Sequence, residues 1–265
     1  MILNDYVRPK DLHEAYELLL EDKDNIIIGG GAWLKLTHKQ VHQVIDLSSI
    51  GLHEIIDKGD FIEIGAMTSL RQIETSKMIQ QYYDGIVSKA VKSIMGMNIR
   101  NLATIGGSIM GRYSFSDIFT PLLAVDVSLV FFNYGEISLS DFMKNRKMER
   151  DILVKIKLHK KQGRGYFHNM KKTHLDFAVI NVAVTKAEKI KIVVGARPSI
   201  SLRAFKAEEY INSTEINEES ILHTALLAKE EIKVSSNARA SKEYRSELIE
   251  VYVKRGLKEV LDYEG

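Results

Sequence analysis

"NIRNLATIGGSIMGRYSFSD", residues 98–117, is the stretch on which the reading of the whole chain turns. A Gly-Gly pair, Gly106 and Gly107, stands between an apolar, β-branched approach and an apolar exit, and a polar and aromatic loop then ends on Asp117. A second cluster, "IIIGGGAWLKL" at 26–36, has the same shape. Both read as turns that carry a strand into a loop. Either both are tight turns and nothing more, or both bring bare backbone up to one ligand. An anionic group such as a phosphate needs several donors around it, and glycine-rich turns supply backbone N–H groups with no Cβ in the way. Each charge-assisted bond contributes about 1.5–3 kcal/mol. A pyrophosphate has more oxygens than one short turn satisfies, so two converging turns make physical sense. "GGG" has neither the G-x-G-x-x-G spacing nor the Walker lysine, and the residues alone leave both readings open.

Composition narrows the classes. The chain has 265 residues, enough for a substantial core, since proteins of this size bury roughly 75% of the unfolded chain's surface. Its 37 Lys+Arg against 35 Asp+Glu leave a net charge of +2, so no global field draws it to nucleic acid or to a membrane surface. There are no cysteines, which excludes disulfides, Cys-held iron–sulfur clusters and Cys-ligated zinc in this chain and suits a reducing compartment. "MILNDYVRPKDLHEAY" is too charged for a signal peptide, and the most apolar run, "IFTPLLAVDVSLVFF" at 118–132, is shorter than a membrane span and carries Asp126 in its middle. The expectation is a cytoplasmic globular protein with no membrane span and no nucleic-acid partner.

Periodicity gives the organisation. Asp11 and Glu14 form a capping pattern ahead of helical spacing in Leu12, Ala15, Tyr16, Leu19 and Leu20. Ile26, Ile27 and Ile28 read as a strand buried on both faces, and 43–47 as another strand. "FIEIGAMTSLRQIETS" turns from strand to helix with Thr68 as the expected N-cap. A helix is expected over 84–95 and another over 118–125, then strands over 127–132 and 136–139 around a turn at Tyr134-Gly135, and an alternating strand over 151–159. From 165 the pattern becomes "GYFHNMK", "FAVINVAVT" and "KIKIVVGAR" as strands, then helices near 204–211, 218–231 and 242–262. The fold class expected is α+β: a small α/β unit over 1–55, a larger α/β unit over 56–160, and a C-terminal domain of antiparallel sheet and helices over 161–265.

Several further residues invite chemistry. His38 and His42 lie four apart, a helical metal pair or a solvated face; no third ligand is evident nearby. Lys171 and Lys172 either meet an anionic cofactor or form an exposed charge pair. Tyr113 and Phe115 either cover a cofactor ring or close their loop hydrophobically.

In order and spacing, "VRPKDLHEAYELL", "NIIIGGGAWLKL", "QVIDLSSIGLHEI", "FIEIGAMTSLRQIETS", "IRNLATIGGSI" and "SDIFTPLLAVDVSL" resemble the FAD-binding subunit of the molybdenum hydroxylases, the xanthine dehydrogenase and carbon monoxide dehydrogenase family. "LDFAVINVAV", "KIVVGARPSISLRAFKAEEYI" and "SKEYRSELIEVYVKRGLKEV" resemble that family's C-terminal domain. The resemblance implies that two segments wrap the FAD pyrophosphate and ribityl chain: Ile27, Ile28, Gly29, Gly30, Gly31, Ala32 and Trp33, and Thr104, Ile105, Gly106, Gly107 and Ser108. It implies that Asp117 hydrogen-bonds the flavin's polyol part, and it matches Leu153 and His168 to a leucine and a lysine that the family sets near the flavin. Leu153 is equally ordinary strand core, and His168 replaces a fixed charge with a group that titrates near neutrality. The family's first loop usually reads Ala-Gly-Gly, then Thr or Gln, then Asp or Ser. Here Ala32 and Trp33 stand at the two polar positions, and Trp33 either stacks on the cofactor or fills core.

The implied function is the flavin subunit of a multi-subunit oxidoreductase. Electrons from a molybdenum-cofactor large subunit pass through 2Fe-2S clusters on a small subunit to FAD here, and then to NAD or another acceptor. The flavin carries the chemistry, so no acid–base residue and no metal ligand is named. Two other readings remain: a free-standing FAD-dependent reductase of the same superfamily, and a scaffold that has lost FAD, for which Ala32 and Trp33 speak.

Overall fold

The computed structural model describes residues 2–37, 40–145, 148–197 and 200–263. The chain forms two compact units that alternate along the sequence: 1–73, 96–111 and 127–159 make the first, and 74–95, 112–126 and 160–265 the second.

The first unit holds two sheets. Strands β1 (Ile2–Val7), β2 (Ile26–Ile28) and β3 (Gln40–Asp46) form a parallel sheet in the order β1-β3-β2. Parallel strands need crossover connections, and the helix Leu12–Glu21 carries the chain from β1 to β2, on the other side of β3. Asp11 caps it by accepting from the Glu14 amide at 2.9 Å, while the Glu14 carboxylate accepts from the Lys10 amide at 2.7 Å. Its apolar face puts Ala15 and Leu19 into a core with Ile45 and Leu47. The triple isoleucine is not buried on both faces as its composition suggests. All three side chains are half-buried, because β2 is an edge strand with β3 on one side. β1 carries Asp5 in mid-strand, which hides it from a search for apolar runs.

The second sheet is antiparallel. Strands β4 (Ile55–Asp57), β5 (Phe61–Gly65), β6 (Val127–Phe131), β7 (Gly135–Ser138) and β8 (Leu153–His159) are ordered β4-β5-β8-β6-β7. β5 buries Ile62 and Ile64 in strict alternation, as a one-sided strand requires. The N-cap of the helix Leu70–Thr75 is Ser69 rather than Thr68: the Gln72 amide donates to the Ser69 hydroxyl at 3.2 Å, and the Ser69 amide donates to the Gln72 side chain at 2.9 Å. Thr68 is fully buried, and its hydroxyl faces the Glu54 carbonyl instead.

The second unit is built on β9 (Arg164–Met170), β10 (Ile180–Lys186), β11 (Ile190–Gly195) and β12 (Leu202–Arg203), antiparallel in the order β12-β11-β10-β9. Val182, Val184, Ile192 and Val194 share a core with the helices Phe205–Ser213, Glu218–Glu231 and Lys242–Leu261. Alternate residues serve the other face, where the Thr185 hydroxyl donates to the Ala124 carbonyl of the helix Phe119–Ala124. The helix expected over 84–95 is confined to Ile86–Lys92, since Asp84 (φ 52°) and Gly85 (φ 72°) are left-handed ahead of it. The long C-terminal helix passes the sheet closely at Gly256, where an added Cβ would stand 2.6 Å from side-chain atoms of both Tyr166 and Val184. Gly256→Ala is therefore expected to destabilise the second unit by about 1–3 kcal/mol despite alanine's better helix propensity; a urea melt against the parent chain checks this.

Candidate functional site

In the first unit β2 stops at Ile28, and residues 29–33 lead into a short 3-10 turn, Leu34–Leu36. The other glycine pair does not leave a strand. Its approach is the helix Met97–Leu102, and Gly106 and Gly107 lie in the first turn of the helix Ile105–Met110. The β-branched look of "NLATI" misleads because Thr104 is an extended N-cap (φ −105°, ψ 157°) bridged to Ser69, and its hydroxyl accepts from the Gly107 amide at 3.1 Å.

The two glycine segments meet each other. A Cβ on Gly30 would overlap the carbonyl of Leu102, and one on Gly29 would collide with the Thr104 hydroxyl. A Cβ on Gly106 would stand 2.6 Å from the Ala66 carbonyl oxygen. Glycine is thus demanded first by the approach of backbone to backbone within the protein.

The amides divide sharply. Ile105 donates to Thr68 O at 3.0 Å, Gly106 to Ala66 O at 2.8 Å, Gly107 to the Thr104 hydroxyl, and Ser108 to Thr104 O at 3.0 Å. Four of the second segment's N–H groups, those of Ile105 to Ser108, are therefore committed to the protein. The amides of Gly30, Gly31 and Ala32 meet no acceptor among the described residues, and these residues are half-buried around a left-handed Gly31 (φ +66°). Consecutive free amides in such a turn are the donor set an anion takes. The chemistry of this donor set fits a pyrophosphate. Trp33 is half-buried directly after these donors. Ile27 packs on the apolar core, and Leu153 is buried on β8 opposite Phe131.

The second unit holds Asp117, only 5% exposed. Oδ1 accepts from the Asn181 side-chain amide at 2.8 Å, and Oδ2 from that of Asn169 at 3.0 Å. The Lys171 ammonium pairs with Oδ2 at 3.0 Å and donates to the Ser93 carbonyl at 2.6 Å. Behind them the Thr120 hydroxyl donates to Asn181 Oδ1 at 2.6 Å and lies 2.8 Å from the Ser201 hydroxyl. Lys171 is thus no exposed charge: the carboxylate compensates its burial, whereas Lys172 is exposed. Sequence reading passed over Asn169 and Asn181 and left Lys171 open between an anion contact and an exposed charge pair. The available signal was Asn181, a lone amide inside the otherwise apolar "AVINVAV".

His168 faces the opposite side of β9 from Asn169, so the structure does not bring it to Asp117. Its ring stacks on Tyr252 of the C-terminal helix, with centroids 4.2 Å apart, and burial together with the Arg255 charge holds its pKa below the ordinary imidazole value. Tyr113 stacks on Phe115 at 5.1 Å, and Phe115 packs on Phe177 at 4.5 Å, so these aromatics close the loop that leads to Asp117. His42 lies exposed on β3, a strand and not a helix, and His38 lies outside the described residues. Among the described residues no cluster of three or more His, Asp or Glu is placed to hold a metal, and no helix is long and apolar enough to cross a membrane.

Residues 3–159 match the family described as the FAD binding domain in molybdopterin dehydrogenase, and residues 165–260 match the CO dehydrogenase flavoprotein C-terminal domain. The chain is 24% identical over 275 residues to the glyceraldehyde dehydrogenase medium chain of Sulfolobus acidocaldarius, covering 96% of this chain and 97% of that one. It is 23% identical over 287 residues to the xanthine dehydrogenase FAD-binding subunit of Escherichia coli O157:H7, covering 98% and 97%. The solved structure of carbon monoxide dehydrogenase from Hydrogenophaga pseudoflava, in a form lacking the Mo-pyranopterin moiety of the molybdenum cofactor, has the same fold: TM-score 0.90 and 24% identity over 97% of each chain.

Two outcomes follow from this geometry. Gly30→Ala should destabilise the first unit by about 1–3 kcal/mol, since backbone at Leu102 must move to admit the methyl; chemical denaturation measures it. Because His168 binds its proton less readily folded than unfolded, its contribution is neutral above the unfolded pKa of about 6.5 and becomes a penalty as pH falls through it. His168→Phe should therefore flatten the loss of stability between pH 7 and 5, read from melts across that range.

Proposed function

The chain belongs to the FAD-binding family of the molybdopterin dehydrogenases, and we propose from that premise that it is the flavin-carrying electron-transfer subunit of a molybdenum hydroxylase complex. Its α+β class is the one expected, with an FAD-binding part followed by a C-terminal domain of the CO dehydrogenase flavoprotein type. The partners proposed are a large subunit with the molybdenum cofactor and a small subunit with iron–sulfur clusters. The names of the relatives, a medium chain and an FAD-binding subunit of dehydrogenases, support this assembly. The chain's lack of cysteine leaves the clusters to another subunit. A cytoplasmic location belongs to the same proposal.

The observation that carries the reading is the set of amides at Gly30, Gly31 and Ala32 with no acceptor among the described residues, in a turn whose Gly29 abuts Thr104 and whose Gly30 abuts Leu102. These donors need no side chain, so the absence of polar groups at Ala32 and Trp33 does not remove them. In this reading the amides of Gly30, Gly31 and Ala32 take the pyrophosphate, and the polyol contact proposed for Asp117 rests on the resemblance alone. Bound FAD would supply the redox chemistry between the iron–sulfur partner and NAD or another acceptor. The chain's own part is to bind and orient it. Leu153 and His168 keep the packing roles described above.

The test begins with an absorption spectrum of the purified chain and identification of any released chromophore. Flavin bands with FAD released are expected. A colourless chain that also fails to take up FAD, alone and with its partner subunits, would overturn the reading in favour of a scaffold. Ala32→Pro removes one of the three amides and should weaken FAD binding about tenfold, the worth of one charge-assisted bond, with a thermal melt separating lost binding from a strained turn.

A further inference from the structure

Arg245, near the start of the helix Lys242–Leu261, is a cation with no counter-charge among the described residues, and its side chain is fully buried. One terminal N–H group donates to the Val179 carbonyl and another to Asn237 Oδ1 at 2.5 Å, and both acceptors are neutral. Asn237 Oδ1 is shared, since it also accepts from the Arg239 amide at 2.9 Å. The Nε–H group of Arg245 is buried and meets no acceptor. Burial, and then the charges of Arg197 and Arg239, hold its pKa below the ordinary guanidinium value.

The backbone gathers these three guanidinium groups within the second unit. Arg239 and Arg245 meet at Asn237. The ladder between β10 and β11 pairs Asn181 with Gly195; two residues beyond that pair lie Val179, which accepts the Arg245 bond, and Arg197. Arg239 is compensated, because it pairs with Asp176 at 3.0 Å and lies over the Phe177 ring. Arg197 is half-buried and meets no acceptor among the described residues. Lys172 adds its charge beside Asp176. Among the groups linked in this way, four cations share one carboxylate.

A buried guanidinium without a partner is costly, and an anion brought to it offsets the cost. Water would satisfy the Nε–H group and leave the charge. Guanidinium groups match oxyanions in shape as well as in sign. Two uncompensated arginines favour a dianion, since a single carboxylate would neutralise only one of them. We propose that Arg197, Arg239 and Arg245 form a binding site for phosphate, either the free ion or the end of a phosphate monoester. Arg197 and Arg239 are the members that solvent reaches and make the contact, while Arg245 supplies charge from behind them. Bound phosphate would hold the connection from β9 to β10, which Arg239 grips at Asp176 and Arg245 at Val179. The site requires no FAD.

The full chain, freed of flavin, is melted in HEPES buffer at fixed ionic strength while inorganic phosphate replaces chloride. The melting temperature is expected to rise to about 3–6 °C above the phosphate-free value at ten times the dissociation constant, following the binding curve of one site. Phosphate also strengthens apolar burial in any protein, but without a binding curve. A rise no greater than that of Arg197→Gln at every concentration therefore overturns the site. Arg197 has no bond to lose, so Arg197→Gln should melt no lower than the parent without phosphate, and it should bind phosphate about tenfold more weakly. Arg197→Lys keeps the charge and should fall between the two. Arg245→Met should lose the response as well; where it does not fold, Arg197→Gln decides alone. Methyl phosphate separates the two sources: affinity equal to that of inorganic phosphate supports a monoester ligand, and weaker affinity supports the free ion.

Discussion

The first unit depends on the approach of one backbone to another at Gly30, where there is room for the Leu102 carbonyl only because no Cβ is present. That contact sets the end of β2 against the start of the helix Ile105–Met110. It allows Thr104 to cap the helix from a position against Gly29. The second segment spends the amides of Ile105, Gly106, Gly107 and Ser108 on protein acceptors, while those of Gly30, Gly31 and Ala32 meet none among the described residues. A rigid wall and a set of free donors come from the same close packing. Donors held this way need little reorganisation to receive an anion, which is how a preorganised turn converts packing into affinity.

The second unit solves a different problem. Its sheet carries an apolar core on one face and a polar network on the other, and the network is buried all the same. Asp117, Lys171, Asn169, Asn181, Thr120 and Ser201 satisfy one another across four separate stretches of chain. Partial satisfaction in a low-dielectric interior would be worse than an apolar filling. The near-completeness of these bonds is therefore what makes the arrangement stable.

Much of this was legible in the sequence. Helix 218–231 and the three consecutive strands after 165 follow from periodicity and turn residues, because alternation and 3.6-residue spacing are consequences of burying one face. Motif spacing carried the family, which the domain matches then established. Local signals failed where a long-range partner overrode them. Ile26 to Ile28 read as a central strand, yet an edge position half-exposes it. "NLATI" read as an approach strand, yet the cap at Thr104 makes it a helix start. Ser69 took the cap from Thr68 because Gln72 could answer it, and Thr68 was needed in the core.

The sequence by itself determined the class of the elements, most of their order and the two glycine segments. These depend on side-chain periodicity and on the absence of Cβ, both of which are written residue by residue. Only the tertiary structure decided which glycine amides stay free, that Lys171 is buried against Asp117, and that His168 turns to the opposite face of β9. Each of those outcomes depends on which distant group arrives to accept, donate or compensate a charge, and spacing along the chain carries no record of that.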